Sequence, residues 1–508
     1  MNKIVKNTLY LYSRQLFTLF LSLYTSRLTL QVLGVTDFGI YAAVGGVTSF
    51  IAIITSSLSN STQRYITFAL GKNGIEELNR TYISSIEIHL GLSLLILILA
   101  ETVGLFFLYS KMVIPEARMS IAFWVYQFSI LTVIANISTA PHYAEIVAHE
   151  NMNVLAVTSV VDSILKLLSV VVLLYISLDI LLIYSLLAFI VQFVYRVMLV
   201  CYCKLRYDEC HLKRYYDKKL CVSMLSLTSW NFVCNLGIMG FAQGTIILLN
   251  VFFGTIINAA YNISFQAYFG IRNFTSSFQL ASNPQIIKSY SENRLEEMRE
   301  LLMKVCKFSF YLIFVMSFPI IMNSELILSI WLKDVPDHAQ NFFVLLLVFS
   351  FFEVMDYPLD IAAQATGKMK TYSIIVFISY TSILLLSYIA YQMGAIPEMI
   401  IYIAIVISFI GIIGRVIVLN ATLKLSVKEF FRRSLLRPFA VTLFVCPIVI
   451  YIKIFWGNLS VIGSFLFFVY IFLYEIIVIY LIGLENHERN LVKVYMHNFL
   501  SIVKKLYK

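Results

Sequence analysis

Arg272 is the residue of this sequence that most needs a chemical reason. It ends a run of 51 residues, Cys221–Ile271, that contains no Asp, Glu, Lys, Arg or His. Placed at the centre of a bilayer, a charge costs about 2.5–3.5 kcal/mol on insertion scales. Snorkelling does not remove that cost, because Arg272 lies about three turns from the nearest helix end. Tyr261, Phe265, Tyr268 and Arg272 recur at spacings of four, three and four, which is one face of a helix. Asn262, Gln266, Asn273 and Ser277 form the adjoining stripe. A guanidinium presents a planar fork that fits phosphate. Aromatic rings offer apolar faces to sugars, and amides offer hydrogen bonds. The competing assignment is an arginine tied to a facing carboxylate.

Other polar residues in apolar runs extend the pattern. Arg14, Thr18, Ser22, Thr25 and Thr29 share one stripe, and Arg27 and Gln31 share a second face with Tyr24. The run that opens the second half carries Ser226, Thr228, Ser229, Trp230, Asn231, Asn235, Gln243 and Asn250. It is assigned either to a cavity wall or to interhelical hydrogen bonding. Glu353, Asp356, Tyr357, Asp360 and Gln364 fall on one helical face, with Pro358 among them as an expected bending point. These acids suit H+ or Na+ coupling, or neutralisation of Arg272. Asp162 and Lys166 read as an i,i+4 ion pair. Arg196 and Arg415, near chain ends of apolar runs, read as snorkelling side chains. His142, Glu145 and His149 have ligand-like spacing but no fourth ligand nearby, so no metal is assigned. With no P-loop, dinucleotide fingerprint or Ser-His-Asp arrangement, neither a cofactor nor a catalytic residue is assigned.

The elements that must position these residues are membrane helices. The chain has 508 residues, 60% hydrophobic and 13% charged, with mean hydropathy +0.84. A soluble domain is nearer a quarter charged. The composition predicts an all-α polytopic membrane protein. Fourteen spans are predicted, near 8–33, 38–62, 83–109, 119–143, 153–177, 180–203, 222–250, 257–282, 304–330, 339–365, 371–394, 398–423, 438–456 and 459–483. At 1.5 Å per residue the 51-residue run is about 76 Å long, too long for one crossing, so it must turn, and Gly254–Asn258 is the available place. The net charge of +10 would suit nucleic acid, but its placement argues otherwise. Of 38 Lys and Arg, 28 fall on alternate connections and only Lys111, Arg118, Lys333 and Lys453 on the opposite ones. That bias predicts cytoplasmic termini. The connection at 142–151 is the exception, having neither. The seven cysteines show no disulfide or metal spacing. Lys3 and Lys6 precede an apolar run without a nearby small-residue cleavage site, which predicts a retained first helix.

The chain also repeats itself. At an offset of 220, Gly34 pairs with Gly254, Tyr41 with Tyr261, Ser56–Ser57 with Ser276–Ser277, and Glu76–Glu77 with Glu296–Glu297. At 217, Pro141, Ala148 and Met152 pair with Pro358, Ala365 and Met369. An even number of spans separates the copies, so the repeat is parallel, a transporter architecture with the substrate between the halves. The expected division is 1–203 and 221–425 as two six-helix lobes, with 204–220 as a basic linker. Residues 426–508 then hold two further helices and a basic tail. The linker, KLRYDECHLKRYYDKK at 204–219, is expected to be a cytoplasmic tether with no chemistry of its own.

Four stretches give the pattern a likeness. LGVTDFGIYAAV, SLSNSTQRYITFALGK, SLTSWNF and the Pro–Ala–Met spacing resemble polysaccharide and lipopolysaccharide flippases of the multidrug/oligosaccharidyl-lipid/polysaccharide exporter superfamily. The likeness covers most of 1–425. It implies a MATE-like pair of six-helix lobes around a central cavity, in the bacterial inner membrane. It further implies a non-enzymatic flippase that moves undecaprenyl-pyrophosphate-linked oligosaccharide to the outer leaflet by alternating access. The implied substrate-binding residues are Arg272, Arg14, Arg27, Tyr261, Phe265, Tyr268, Asn231, Asn262 and Gln266. Glu353, Asp356 and Asp360 are the coupling candidates for H+ or Na+. Membrane lipids, a glycan polymerase and export machinery are the implied partners, with no nucleic acid. The rival assignments are a MATE-type drug/cation antiporter, which predicts acids rather than arginine in the cavity, and a membrane-embedded glycan-processing enzyme. Outer connections as short as GVTD and GAIPE disfavour the enzyme.

Overall fold

A computed structural model describes residues 2–72, 74–110, 114–176, 178–211, 217–332, 335–456, 460–490 and 493. The linker residues 212–216 and the basic tail from 494 onward lie outside them. The described residues form helices and connections without a strand. The helices are α1 (Asn2–Gly71), α2 (Ile75–Leu99), α3 (Leu105–Ser110), α4 (Met119–Ala148), α5 (Met152–Leu173), α6 (Ile180–Arg206), α7 (Lys218–Ser291) and α8 (Leu295–Met322). They continue as α9 (Ser324–Trp331), α10 (Ala339–Glu353), α11 (Asp356–Thr366), α12 (Lys370–Gln392), α13 (Met399–Leu423), α14 (Val427–Phe430), α15 (Arg437–Trp456) and α16 (Val461–Val478). Among the described residues, twelve helical segments are long and apolar enough to cross a membrane.

Two of these helices are double. α1 is broken at Gly34 (φ 73°, ψ 170°) and α7 at Gly254 (φ 81°, ψ −172°). Both glycines adopt a backbone conformation that a β-carbon disfavours. The turn expected over Gly254–Asn258 is thus a one-residue break, after which the helix resumes at once. Gly34 and Gly254 are the pair that the offset of 220 puts in register. The same offset puts Glu76–Glu77 and Glu296–Glu297 in the first turns of α2 and α8, where the carboxylates meet the positive end of the helix dipole. The offset of 217 pairs Glu150 (φ 58°) with Gly367 (φ 71°), left-handed residues just after α4 and α11. The repeat is therefore written in backbone conformation as well as in sequence.

The chain divides into two compact units. The first comprises 1–239, 276–298 and 360–377, and the second 240–275, 299–359 and 378–508. In the first, α4 packs against α1, α2 and α6, and α5 against α1 and α6. Its core includes Ala122, Val125, Tyr126 and Ile130 of α4 with Leu181 of α6. On the side expected to be extracellular, Arg118 bridges Asp37 and Asp179, joining the starts of three helical segments. At the other end, Gly71 and Ser291, themselves 220 residues apart, pack in contact: a β-carbon built on Gly71 falls 1.8 Å from Ser291 Oγ. The connection after α4, which lacks Lys and Arg, draws its cation from elsewhere. Glu150 accepts from Lys288 Nζ and Gln285 Nε2, each at 3.3 Å.

In the second unit, α10 packs on α13, and α15 on α16. Lys307 and Glu488 form an ion pair of 2.6 Å at 3% and 4% side-chain exposure. His338 Nδ1 and Asn341 Nδ2 meet Glu398 Oε1 at 2.7 and 3.0 Å.

Candidate functional site

The aromatic face of α7 turns inward, within the second unit. Tyr261 and Tyr268 are buried, at 1% and 4% exposure. Tyr261 stacks on Phe265 at 5.9 Å and meets Phe342 edge-on at 5.6 Å, and Phe265 lies 5.5 Å from Tyr268. One turn on, Arg272 Nε donates to Glu353 Oε2 at 2.9 Å, and Tyr268 Oη donates to the same oxygen at 2.7 Å. Arg272 is therefore a paired cation in this conformation. The amide stripe points the other way: Asn262 and Gln266 are exposed, and Asn262 Nδ2 donates to Asn258 O at 2.8 Å.

The acidic stretch does not form one continuous face. α10 ends at Glu353 and α11 begins at Asp356. The break falls at Val354–Met355, four residues before Pro358, where the proline nitrogen cannot donate to the Val354 carbonyl. The helix is thus interrupted one turn before Pro358, the kink expected there. Each acid has its own partner. Glu353 holds Arg272 and Tyr268. Asp356 pairs with Arg415 and accepts from Tyr380 Oη at 3.1 Å. Asp360 Oδ2 accepts from Gln364 Nε2 at 2.8 Å, while its buried Oδ1 has no hydrogen-bond partner among the described residues. Arg415 does not snorkel. It is among the largest fully buried side chains, and its ion pair with Asp356 explains why it stays inside.

In the first unit, the α1 stripe is less demanding than its sequence suggests. Thr18, Ser22, Thr25 and Thr29 all donate to carbonyls of their own helix, at 2.7–3.2 Å. Hydroxyls satisfied this way can face any medium. Arg14 is half-buried beside Tyr143, and Arg27 is exposed. Asn231 is buried and donates to Ser61 Oγ at 2.9 Å, and Asn235 donates to Ser57 Oγ at 2.7 Å. Asn231 and Asn235 thus bind α7 to α1 by side-chain hydrogen bonds, the second of the two assignments, while Ser226 and Trp230 of the same run line a cavity, the first. Beyond Asn231 toward the α7 start lies a cavity of about 320 Å³. Tyr65, Ser223, Ser226, Trp230, Lys368 and Lys370 contribute to its wall, and Tyr65 Oη hydrogen-bonds Ser223 Oγ. Beside it, Arg64 donates to Gln364 O at 3.0 Å and Ala365 O at 2.9 Å, capping the carbonyl end of α11. Sequence reasoning treated Arg64 only as a topology signal; nothing local in the sequence marks it as a cap 300 residues away.

His142, Glu145 and His149, whose spacing is ligand-like but to which the sequence assigns no metal, do not stay together. His142 packs edge-on against Tyr82 at 5.8 Å. Glu145 and His149 are instead joined by Glu209, from the turn Asp208–Cys210 after α6. Burial lowers the His149 pKa, but hydrogen bonds to Glu145 and Glu209 outweigh it and hold the imidazole above its ordinary value. Burial likewise raises Glu209, and its bond to His149 outweighs that, leaving it below the usual carboxylate range. The start of the linker is thus docked rather than free, as Asn79 Nδ2 donates to Glu209 O and His211 O at 2.6 and 3.1 Å.

Comparison with known proteins agrees with this architecture. Residues 220–389 match the MatE family. Among solved structures, a MATE protein in the straight conformation superposes with a TM-score of 0.73 at 12% identity, over 84% of this chain and 97% of that one. The Vibrio cholerae MATE transporter VcmN in its bent form gives 0.71 at 15% identity, over 84% and 98%. A MOP superfamily transporter from Pyrococcus furiosus, for which a binding pocket of reverse polarity suggests a different function, gives 0.69 at 12% identity, over 82% and 96%. No curated protein matches the sequence. At these identities the likeness establishes the fold, that of MATE transporters, with multiple membrane-crossing helices.

Proposed function

We propose that the protein is a transporter of the plasma membrane that works by alternating access. Its substrate on this reading is an undecaprenyl-pyrophosphate-linked oligosaccharide, flipped from the cytoplasmic to the outer leaflet. The observation that carries the reading is the cavity at the start of α7. Lys368, Lys370, Ser223, Ser226, Tyr65 and Trp230 are among the residues that line it, a set suited to phosphate and sugar together. The positive-inside bias of the sequence supports a cytoplasmic side for that cavity, the side from which the headgroup would enter on this reading. This reading also assigns phosphate binding to Arg272 of the second unit and to Arg14 or Arg27 of the first. For Arg272 to serve, Glu353 must release it. Of the other two acids, Asp360, with one buried oxygen lacking a hydrogen bond, is better placed than Asp356 to take a proton or Na+.

The test is a leaflet assay of lipid-linked glycan in proteoliposomes. Lys368→Ala/Lys370→Ala and Arg272→Ala are expected to lower the rate at least tenfold while the protein still folds. Normal flipping by both variants would sink the proposal. The match of 220–389 to the MatE family supports a second reading, a drug/cation antiporter. That reading predicts cation efflux by the same vesicles and drug sensitivity on deletion, with surface polysaccharide intact.

A further inference from the structure

The turn after α6 gathers chemistry that transport does not use. Glu145 and His149 lie one helical turn apart at the end of α4, and Glu209 reaches them from 60 residues away. One ligand atom from each lies within 4.8 Å of the others. His149 Nε2 is 2.7 Å from Glu209 Oε1 and 3.2 Å from Glu145 Oε1. Tetrahedral zinc, with ligand bonds of about 2.1 Å, sets its ligand atoms about 3.4 Å apart. One of these separations is nearly there, and the other must open by less than about 1 Å, within the reach of a carboxylate rotation.

Two further observations point to a ligand. The Glu145 side chain is 0% exposed; its Oε1 lies 3.2 Å from His149 Nε2, and its buried Oε2 has no hydrogen-bond partner among the described residues. A buried carboxylate oxygen without a hydrogen bond is costly unless a cation completes it. The surrounding groups also hold the donors in place. The His149 ring lies flat on Tyr207, with centroids 4.1 Å apart and planes 11° off parallel. Tyr207 Oη accepts from Asn151 Nδ2 at 2.6 Å, and Asn79 pins the Glu209 backbone. Such outer contacts fix ring and carboxylate orientation in metal centres.

We propose that Glu145, His149 and Glu209 form a site for a divalent transition-metal cation of the zinc class, with water in the fourth position. One imidazole and two carboxylates suit Zn2+, Co2+ or Mn2+ rather than a thiophilic ion. Occupancy fastens the first residues of the linker to α4. The proposal stands independently of the substrate.

The experiment uses the full-length protein in lipid nanodiscs, with any affinity tag removed and metal stripped by chelator. After dialysis against micromolar ZnCl2, the metal retained per chain is counted by mass spectrometry. One zinc per chain is expected. His149→Asn and Glu209→Gln are each expected to weaken binding about 30-fold or more, and His211→Asn to leave it unchanged. No retained zinc in the parent, or equal affinity in both variants, overturns the site. Should the variants fail to fold, X-ray absorption of the zinc-loaded parent decides. One imidazole with oxygen ligands supports the proposal, and sulfur or multiple imidazoles overturn it.

Discussion

Arg415 and Asp356 make the sharpest prediction about how this chain tolerates charge. Arg415 is 2% exposed and Asp356 17%. At a contact of about 3 Å and an effective dielectric of about 20, their attraction is about 5 kcal/mol. Taking each ion out of water costs several kcal/mol, so the pair as a whole contributes little. Removing one partner is different, because it leaves the other charge buried without compensation. Asp356→Asn and Arg415→Met are each expected to destabilise by about 3–5 kcal/mol. The double variant is expected to lose less than the sum of the two single losses, by about 2 kcal/mol or more. Chemical denaturation in mixed micelles, run as a double-mutant cycle, reads this directly. Additive losses, or an Asp356→Asn protein as stable as the parent, would refute the claim that this pair keeps Arg415 inside.

Three more outcomes follow from single contacts. Gly254→Ala meets no atom within 4 Å, so its expected loss of about 1–2 kcal/mol comes from the positive φ alone, and Gly34→Ala should behave alike in a thermal melt. Gly71→Ala places a β-carbon 3.1 Å from Ser291 Cβ and 3.3 Å from Lys288 Cα; a loss of about 1–3 kcal/mol is expected, with partial recovery in Gly71→Ala/Ser291→Gly. Burial raises the Glu398 pKa, but hydrogen bonds from His338 and Asn341 outweigh it and leave it below the ordinary value. A depressed carboxylate contributes stability that is present above its unfolded pKa and is lost as pH falls through the folded one. Hydrogen exchange at 394–399 should therefore rise only below the usual glutamate range, and Glu398→Gln should remove that dependence.

Composition and periodicity settled the class of this protein and most of its helices. A chain this apolar has no soluble solution, and a bilayer allows backbone polar groups few options other than helix. The two helix breaks were legible because glycine is the residue that tolerates a positive φ at low cost. The repeat was legible because it reuses those glycines and the acidic helix starts. What the sequence did not determine was which charge meets which. Arg415 looked like a side chain reaching for water and proved to be held by Asp356, 59 residues away. Arg272 read as either a phosphate ligand or the partner of a facing carboxylate, and only the folded chain shows that Glu353 holds it in this conformation. Glu209, one of three acids in a basic linker, became the third member of a cluster only when α6 returned it to α4. Along a helix, spacing fixes neighbours through the 3.6-residue turn. Between helices, partners follow from packing, and only the folded chain brings them within reach.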